Sequence, residues 1–236
     1  IYTPSSLRIT KSHEASDVNR WFDTGLNFQT LSKHAVPFPP ARVGATDLNY
    51  TYNNGLREGP RIHAKGIKLW FDIHSLSIDD IEVHLALIQK TAVGTALLEI
   101  EGDFFTNHVV GENQAEDFVS QTATYDETQR YSSINSERYR VLMHRKFMMG
   151  AENFHPISDP ITNPQNTSNK QWNNKITSEK YFKLNQIMEF DSHTSQSPKR
   201  PFVMLCWVCP RRSEGLATNA QVSFSSRMQV YYSELR

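Results

Sequence analysis

The pattern that most constrains this chain is an alternation of apolar and polar residues with a period of two. In Val222–Tyr232, one row carries most of the apolar side chains and the other row is polar or aromatic; the rows are Val222, Phe224, Met228, Val230, Tyr232 and Ser223, Ser225, Arg227, Gln229, Tyr231. Successive side chains of a β-strand point to opposite faces, so the segment is predicted to be a half-buried strand. Helical periodicity is nearly absent, and the clearest helical candidate, Glu112–Val119, is short.

Strand-like segments recur along the chain and are separated by polar loops. The candidates are Trp21–Thr30, Ile62–His74, Glu82–Lys90, Arg138–Met149, Lys180–Phe190, Pro201–Cys209 and Val222–Leu235, with a further short strand or turn in Ala96–Phe105. Two polar regions, about Thr106 to Glu137 and Ala151 to Ser178, are long for loops in a compact domain. A jelly roll, in which two sheets pack together and loops elaborate the outside, accommodates both features.

Composition excludes several classes of protein. Lys plus Arg and Asp plus Glu both total 25, so the chain lacks the excess of basic residues that is typical of whole nucleic-acid-binding proteins. The only cysteines, Cys206 and Cys209, cannot form a disulfide framework and are predicted to be buried thiols on opposite faces of a strand. No apolar run approaches the length of a membrane span, so no membrane partner is expected.

Cationic residues occupy the polar rows of three strand candidates. In the segment Arg61–His74, Ile67, Leu69, Phe71 and Ile73 are predicted to point inward, with Lys68 and Trp70 on the other face. The strand Arg138–Met149 has an apolar row and a polar row; these are Tyr139, Val141, Met143, Phe147, Met149 and Arg138, Arg140, His144, Lys146, interrupted by Leu142. If these strands and Val222–Leu235 share a sheet, they form one basic surface with Trp70 and Tyr231 interleaved. Such a surface holds phosphates and stacks bases without sequence preference.

Other interpretations of the same residues remain open. Lys and Arg are common on solvated strand faces, where they discourage edge pairing. Trp70 and Tyr231 are equally suited to a subunit interface, where aromatic residues are enriched. The strand Phe202–Val208 is apolar on both faces, which predicts either a central position in the sandwich or burial by a neighbouring subunit.

No arrangement of residues predicts catalysis. Asp79 and Asp80 with Glu82 are more typical of a solvated turn than of a cation site, and a metal site formed by His63, His74 and His84 lacks supporting carboxylate spacing. Phosphate-binding loops, nucleophile elbows and zinc-protease motifs are absent from the sequence. We therefore expect no catalytic residues, no metal and no cofactor.

The ordered set of segments resembles the capsid proteins of small circular single-stranded DNA viruses, the group that includes geminiviruses and circoviruses. Four stretches carry the resemblance: WFDTG at Trp21–Gly25, GLREGPRIHAKGIKLWFDI at Gly55–Ile73, SERYRVLMHRKFMM at Ser136–Met149, and RPFVMLCWVCP with the later SSRMQVYYSEL. His63 stands where the family usually has glycine. We expect a basic arm, typical of the family, to precede Ile1.

The resemblance implies one domain over residues 1–236, an all-β, eight-stranded antiparallel jelly-roll sandwich of two packed four-stranded sheets with long loops. Its sheets would have the strand orders B-I-D-G and C-H-E-F, with Ile62–His74, Arg138–Met149 and Val222–Leu235 as strands B, D and I, after an extended N-terminal segment over residues 1–20.

The implied function is a structural subunit that assembles with copies of itself into an icosahedral shell around circular single-stranded DNA. A host receptor and nuclear import factors are further partners, and the virion and the host nucleus are the expected locations. The expected nucleic-acid contacts are Lys65, Lys68, Trp70, Arg138, Arg140, Lys146, Arg227 and Tyr231. Two alternatives remain: a capsid protein of a small RNA virus, and a lectin- or cupin-like jelly roll that binds a small ligand.

Overall fold

In the part of the chain that the structure describes, eight antiparallel strands form two four-stranded sheets. The computed structural model describes residues 11–23, 32–41, 56–75, 81–91, 104–105, 133–150, 173–192, 195, 197–210 and 221–234. The strands are β1 (Lys11–Asp23), β2 (Ser32–Ala35), β3 (Arg61–Ser75), β4 (Ile81–Lys90), β5 (Tyr139–Met149), β6 (Lys175–Glu189), β7 (Phe202–Pro210) and β8 (Gln221–Glu234). The described residues include no helix, and hence none with the length and hydrophobicity of a membrane span.

The order of the strands confirms the jelly roll. The first sheet has the order β1-β8-β3-β6 and the second sheet has the order β2-β7-β4-β5. When the eight strands are lettered B to I along the chain, these orders become B-I-D-G and C-H-E-F, as the resemblance implied. Non-consecutive strands lie side by side in both sheets, and every pair of consecutive strands except β4 and β5 is divided between the two sheets, as in double Greek-key folds.

Two of the individual strand assignments were wrong. The segment Ile62–His74 belongs to the third strand rather than the first, and Arg138–Met149 belongs to the fifth, so they are strands D and F. The first strand is β1, which overlaps the N-terminal segment, residues 1–20, that was expected to be extended; it pairs with β8 from Lys11 to Asp23. Its sequence, KSHEASDVNRWFD, has too few apolar residues to show alternation. The strand is defined by its backbone pairing with β8, which the sequence does not reveal.

Several other expectations concern residues that are not described. The helical candidate Glu112–Val119 and the acidic pair Asp79-Asp80 lie outside the described residues, as do most of Ala96–Phe105 and of the two long polar regions.

The alternating strands of the first sheet supply one side of the core. Ile67, Leu69, Phe71 and Ile73 of β3 are buried as predicted, and β8 buries the row Val222, Phe224, Met228, Val230, Tyr232. They pack with the inward row of the second sheet, which includes Val83, Leu85, Leu87, Met204, Cys206 and Val208. Burial of this apolar surface is the main favourable contribution to folding.

A second apolar cluster covers the outer face of the second sheet. It contains Ala86 and Ile88 of β4, and Val203, Leu205, Trp207 and Cys209 of β7, beneath Phe104, Phe105, Ile134 and Tyr139. The Phe104 ring meets the Trp207 ring edge-on, with centroids 6.0 Å apart. Strand β7 is therefore apolar on both faces because it lies between two layers of its own chain. Cys206 and Cys209 are buried free thiols in the inner and outer clusters, which confirms their opposite orientation.

The predicted apolar row of β5 is interrupted by a bulge. Register along β4 and β5 shifts between Leu87 and Ile88, where Leu142 is the extra residue. Met143 therefore joins the inner core and Tyr139 joins the outer cluster, although both were predicted to share a face. Val141, from the same predicted row, is 38% exposed. A single inserted residue reverses the facing of all that follows.

A buried arginine fixes the chain just before β3. The Arg57 guanidinium donates to the carbonyl of Gly59 at 2.6 Å and to that of Ser195, and it lies 3.8 Å from the centroid of the Phe190 ring. Tyr232 donates its hydroxyl to the carbonyl of Leu56 at 3.0 Å. Burial lowers the pKa of Arg57 and raises the pKa of Tyr232. These contacts tie the start of β3 to β8 and to the segment after β6.

A second bulge lies within β3 itself. The pairing of β3 with both neighbours shifts between Ala64 and Gly66, which makes Lys65 the extra residue relative to β8. On β6 the irregularity coincides with Asn185, which has a φ of 50°. Gly66 lies directly under the Tyr181 ring, and a Cβ there would overlap that ring and lie 2.7 Å from the Phe182 carbonyl oxygen.

We expect the substitution Gly66→Ala to lower the free energy of unfolding by about 1–3 kcal/mol, because the backbone of β6 cannot move away from the added methyl group without breaking its pairing. Urea denaturation measures the change. Gly59→Ala is the matched control, since a Cβ at that position has only the Arg61 nitrogen near it, at 4.0 Å. Equal stability of the two variants would contradict the close approach of β6 to Gly66.

Candidate nucleic-acid interface

The outer face of the first sheet brings aromatic and cationic side chains together. Trp70 of β3 lies between Arg227 of β8 and Glu179 of β6, and Lys68 lies between Gln229 and Tyr181. We call Lys68, Trp70, Glu179, Tyr181, Arg227 and Tyr231 the aromatic–cationic face. Lys68, Trp70, Arg227 and Tyr231 were predicted from the sequence to share a face, and the pairing of β3 with β8 places them on one.

Trp70 is the centre of this face. The Lys68 ammonium lies 4.5 Å and the Arg227 guanidinium carbon 5.2 Å from the centroid of its ring, within the range of cation–π attraction. Lys68 reaches the ring from two residues away on the same strand, and Arg227 reaches it from the neighbouring strand. The two cations and the indole thus form one unit held by two strands.

A carboxylate that the sequence analysis missed completes this unit. Glu179 accepts a hydrogen bond from Trp70 Nε1 at 2.6 Å, and its other oxygen lies 2.6 Å from the Lys68 ammonium. The hydrogen bond from Lys68 is the main cause of the lowered pKa of Glu179. Lys68 is therefore partly neutralised, and the face is less basic than predicted. The fifth strand candidate began at Lys180, one residue too late to include Glu179.

Opposite charges also alternate along the rest of β3 and β6. Arg61 pairs with Glu189 at 3.0 Å, and Lys175 pairs with Asp72 at 3.1 Å. All four side chains are substantially exposed, so each pair adds little to stability. Their effect is on the electrostatic potential, because they leave the aromatic–cationic face as a local cationic patch between neutralised ends.

Two tyrosines extend the aromatic surface beside Trp70. The rings of Tyr181 and Tyr231 meet edge-on with centroids 6.0 Å apart, and Tyr231 donates its hydroxyl to Gln229 Oε1 at 2.9 Å. Tyr181 is 54% exposed, so its ring is accessible for stacking. Sequence reasoning missed it because the pattern of β6 does not show that β6 pairs with β3. Lys65, which was also predicted, occupies the bulge position beside Gly66 and is half-buried.

The segment Arg138–Met149 was predicted to contribute to this face, and that prediction was wrong. Arg138, Arg140 and Lys146 belong to the second sheet or precede it, because β5 pairs with β4. Arg140 donates to Gln186 Oε1 at 2.8 Å, near the edges of the two sheets. The Lys146 ammonium lies 3.7 Å from Glu82 Oε1, beside the outer cluster. Alternation predicts which residues share a face of one strand, but it does not show which sheet that strand joins.

A histidine pair lies on the outer face of the second sheet. His84 Nδ1 is 3.2 Å from His144 Nε2, and His84 Nε2 is 2.9 Å from Glu82 Oε1. Both rings stack on Trp207, with centroids 4.7 Å and 5.3 Å from its ring centroid. Desolvation, followed by the charge of Lys146, lowers the pKa of His144, and Glu82 opposes this effect.

The structure does not bring together the three histidines that the sequence suggested as a metal site. His63 and His74 lie on β3 in the first sheet, so they do not join His84 in a metal site. Within the described ranges, no group of three or more His, Cys, Asp or Glu residues is placed to hold a metal ion.

Comparisons with known proteins identify no family. No protein-family model matches the chain, and no curated protein matches it in sequence. Among solved structures, it is similar to VP1 of Trichodysplasia spinulosa-associated polyomavirus in complex with GM1 oligosaccharide, at 9% identity over 99% of this chain and 94% of that chain, with a TM-score of 0.27. VP1 of the same virus in complex with sialylated precision glycooligomers gives 10% identity over 99% and 95%, with a TM-score of 0.27. An unassembled VP1 pentamer of Washington University polyomavirus gives 11% identity over 95% and 76%, with a TM-score of 0.15. The jelly-roll assignment rests on the strand order.

We expect the free energy of unfolding to fall as the pH falls through about 6.5, the ordinary pKa of histidine. The folded pKa of His144 is lowered, so the unfolded chain binds more protons than the folded chain between that lowered pKa and 6.5. The stabilisation is complete above this window and is lost within it. Urea denaturation at pH 8, 7, 6 and 5.5 measures the slope.

The variant His144→Gln should have a shallower slope, because it lacks the group that titrates differently in the two states. Val141→Gln, at an exposed position of the same strand with no titrating side chain, is the control and should keep the slope of the unmodified protein. A slope unchanged in His144→Gln would show that burial against Trp207 does not control the pKa of His144.

Proposed function

We propose that this protein is a structural viral capsid subunit that packages circular single-stranded DNA, with the aromatic–cationic face as its nucleic-acid contact. The observation that carries the proposal is the Trp70 unit on a jelly-roll sheet, with two cations within 5.2 Å of one indole ring. Arg227 and Lys68 supply phosphate partners, while Trp70, Tyr181 and Tyr231 supply ring surfaces on which any base can stack.

Glu179 weakens the contact between Lys68 and a phosphate. A phosphate that approaches Lys68 must compete with a carboxylate 2.6 Å from the ammonium. Each contact is consequently weak, and binding requires many subunits acting on one strand. Such a face retains a packaged genome through the number of its copies rather than through tight binding at any one of them.

The proposed contact residues are fewer than the sequence suggested. We retain Lys65, Lys68, Trp70, Arg227 and Tyr231 and add Tyr181, since all are on β3, β8 or β6 of the first sheet. Arg138, Arg140 and Lys146 are not part of this face, because β5 and the residue before it belong to the other sheet or its approach. Further copies of this chain, a host receptor and nuclear import factors are the partners of the same proposal, with the virion and the host nucleus as locations.

The packing between the sheets favours a shell protein over a cupin-like one. A cupin-like jelly roll binds its ligand between its sheets, whereas here Ile67, Leu69, Leu85, Met204 and Cys206 fill the centre and are fully buried. A lectin-like protein would stay a monomer or small oligomer, so the assembly test below separates it from a shell protein. Stacking and phosphate contacts are available to both DNA and RNA, so the nuclease sensitivity of the contents distinguishes the two cargoes.

The first test is assembly and its contents. We expect the purified full chain to form closed shells in negative-stain microscopy, with nucleic acid that is released on disassembly and digested by DNase and not by RNase. Protein that stays monomeric at assembly concentrations would rule out the capsid proposal, and RNase-sensitive contents would identify an RNA cargo.

The second test removes the two cations at Trp70. The double variant Lys68→Gln and Arg227→Gln should bind oligothymidylate more weakly and lower the salt slope of log affinity by about 0.7 to 1.4, which is about 0.7 for Arg227 and a smaller share for Lys68, which Glu179 partly neutralises. Fluorescence anisotropy at several salt concentrations measures both. A matched double variant, Arg138→Gln and Arg145→Gln, changes cations outside the first sheet. Equal losses in the two variants would contradict the assignment of the face.

The third test uses Glu179. The variant Glu179→Gln should bind the same oligonucleotide about three- to tenfold more tightly at low salt, with a steeper salt slope, because Lys68 no longer has a charged partner. Glu137→Gln is the control, since Glu137 is exposed in the turn before β5. Unchanged affinity of Glu179→Gln would show that Lys68 does not contact the strand.

A further inference from the structure

An open cleft of about 520 Å³ lies where edge strands of the two sheets approach each other. It is bounded by the end of β4, the start of β5, the end of β6 and the segment before β7. The described residues that line it are Gln89, Lys90, Thr91, Arg140, Gln186, Ile187, Met188, Glu189, Lys199 and Arg200. None of these is part of the aromatic–cationic face.

The cleft concentrates positive charge in a chain whose formal charge is zero. Four of its described lining residues are cationic, namely Lys90, Arg140, Lys199 and Arg200, and one is acidic. The acid, Glu189, is already engaged: Arg61 lies 3.0 Å from one of its oxygens and Lys199 lies 4.0 Å from the other. The cleft therefore presents an excess of cations from three separate segments.

The Arg140 side chain and the backbone at the other three cationic residues are held by hydrogen bonds. Arg140 Nη1 donates to Gln186 Oε1 at 2.8 Å, and the Gln186 amide donates in turn to Met188 Sδ at 3.0 Å. Gln89 Nε2 donates to the carbonyl of Arg200 at 3.3 Å. The backbone N–H of Lys199 donates to the carbonyl of Glu189 at 2.8 Å, and that of Lys90 donates to the carbonyl of Pro201 at 3.2 Å. A site that is ordered before binding loses less entropy on binding.

An exposed aliphatic side chain stands among these charges. Ile187 is 59% exposed on β6, while its neighbour Met188 is buried. Cationic donors beside an apolar surface suit a ligand with an anionic group attached to a flat or weakly polar ring. The volume lies in the range of about 300–1,000 Å³ typical of small-molecule sites.

We propose that this cleft binds the phosphate of a nucleotide, either as a free nucleoside monophosphate or as one unit of a nucleic-acid strand, with the sugar or base against Ile187. A phosphate matches the charge, because it has several acceptor oxygens and Arg binds it through paired donors. The inference does not rest on the proposed shell, since the described residues that line the cleft all belong to one chain.

Isothermal titration of the unassembled full chain at low salt tests the site with thymidine 5′-monophosphate, inorganic phosphate and thymidine. We expect binding of the monophosphate to be at least about tenfold tighter than that of thymidine, and each of the variants Arg140→Gln and Arg200→Gln to weaken it about tenfold. Arg145→Gln is the matched control, as an exposed arginine of the same strand that does not line the cleft, and it should bind as the unmodified protein does.

A second variant tests the cleft without changing Arg140, whose substitution could also affect folding. Ile187→Glu places a negative charge at an exposed position of the cleft and should abolish binding of the monophosphate while the unfolding midpoint stays within the error of the unmodified protein. Binding of a nucleic-acid strand is tested with the double variant Lys68→Gln and Arg227→Gln, which lacks the two cations of the aromatic–cationic face. If the cleft binds such a strand, this variant should still protect a short oligothymidylate from nuclease.

Two results would overturn the proposal: equal affinity for thymidine and its monophosphate, or equal losses in Arg140→Gln and Arg145→Gln. Each leaves the capsid proposal intact, because shell formation and the nuclease sensitivity of its contents are measured independently of the cleft.

Discussion

The structure depends on the two-sided pairing of β3. This strand is hydrogen-bonded to β8 on one side and β6 on the other over almost its whole length, while its inward row is buried against the second sheet. A slip of one residue would move Ile67, Leu69, Phe71 and Ile73 into solvent, so the register is strongly fixed. The position of every side chain on the outer face follows from that register, including the placement of Trp70 between Arg227 and Glu179.

Properties of a single strand were predictable from the sequence. The inward rows of β3 and β8, the two buried faces of β7 and the opposite orientation of the two cysteines all follow from period-two alternation and composition. The strand order of the sandwich was implied by a resemblance and is found in the structure. The facing of side chains within a strand depends on nearby residues in the sequence, and the strand order was inferred from the order of the segments along the chain.

Properties that depend on which strands pair were not predictable in the same way. The placement of β5 in the second sheet, the origin of the first strand in β1 and the meeting of Glu179 with Lys68 are all settled by partners distant in the chain. Bulges at Leu142 and Lys65 add a further difficulty, since one extra residue reverses an alternation that is otherwise clear. The cleft combines four separate segments, so no stretch of sequence signals it.

The cover on the outer face of β7 has a consequence for how copies of this chain could associate. Phe104, Phe105, Ile134 and Tyr139 already shield Trp207 and its neighbours from water. The outer apolar face of β7 is therefore buried within a single copy, so association with another copy is not needed to keep this face from water. A copy that dissociates from its neighbours would keep this cluster covered and could associate again, because the cover belongs to its own chain.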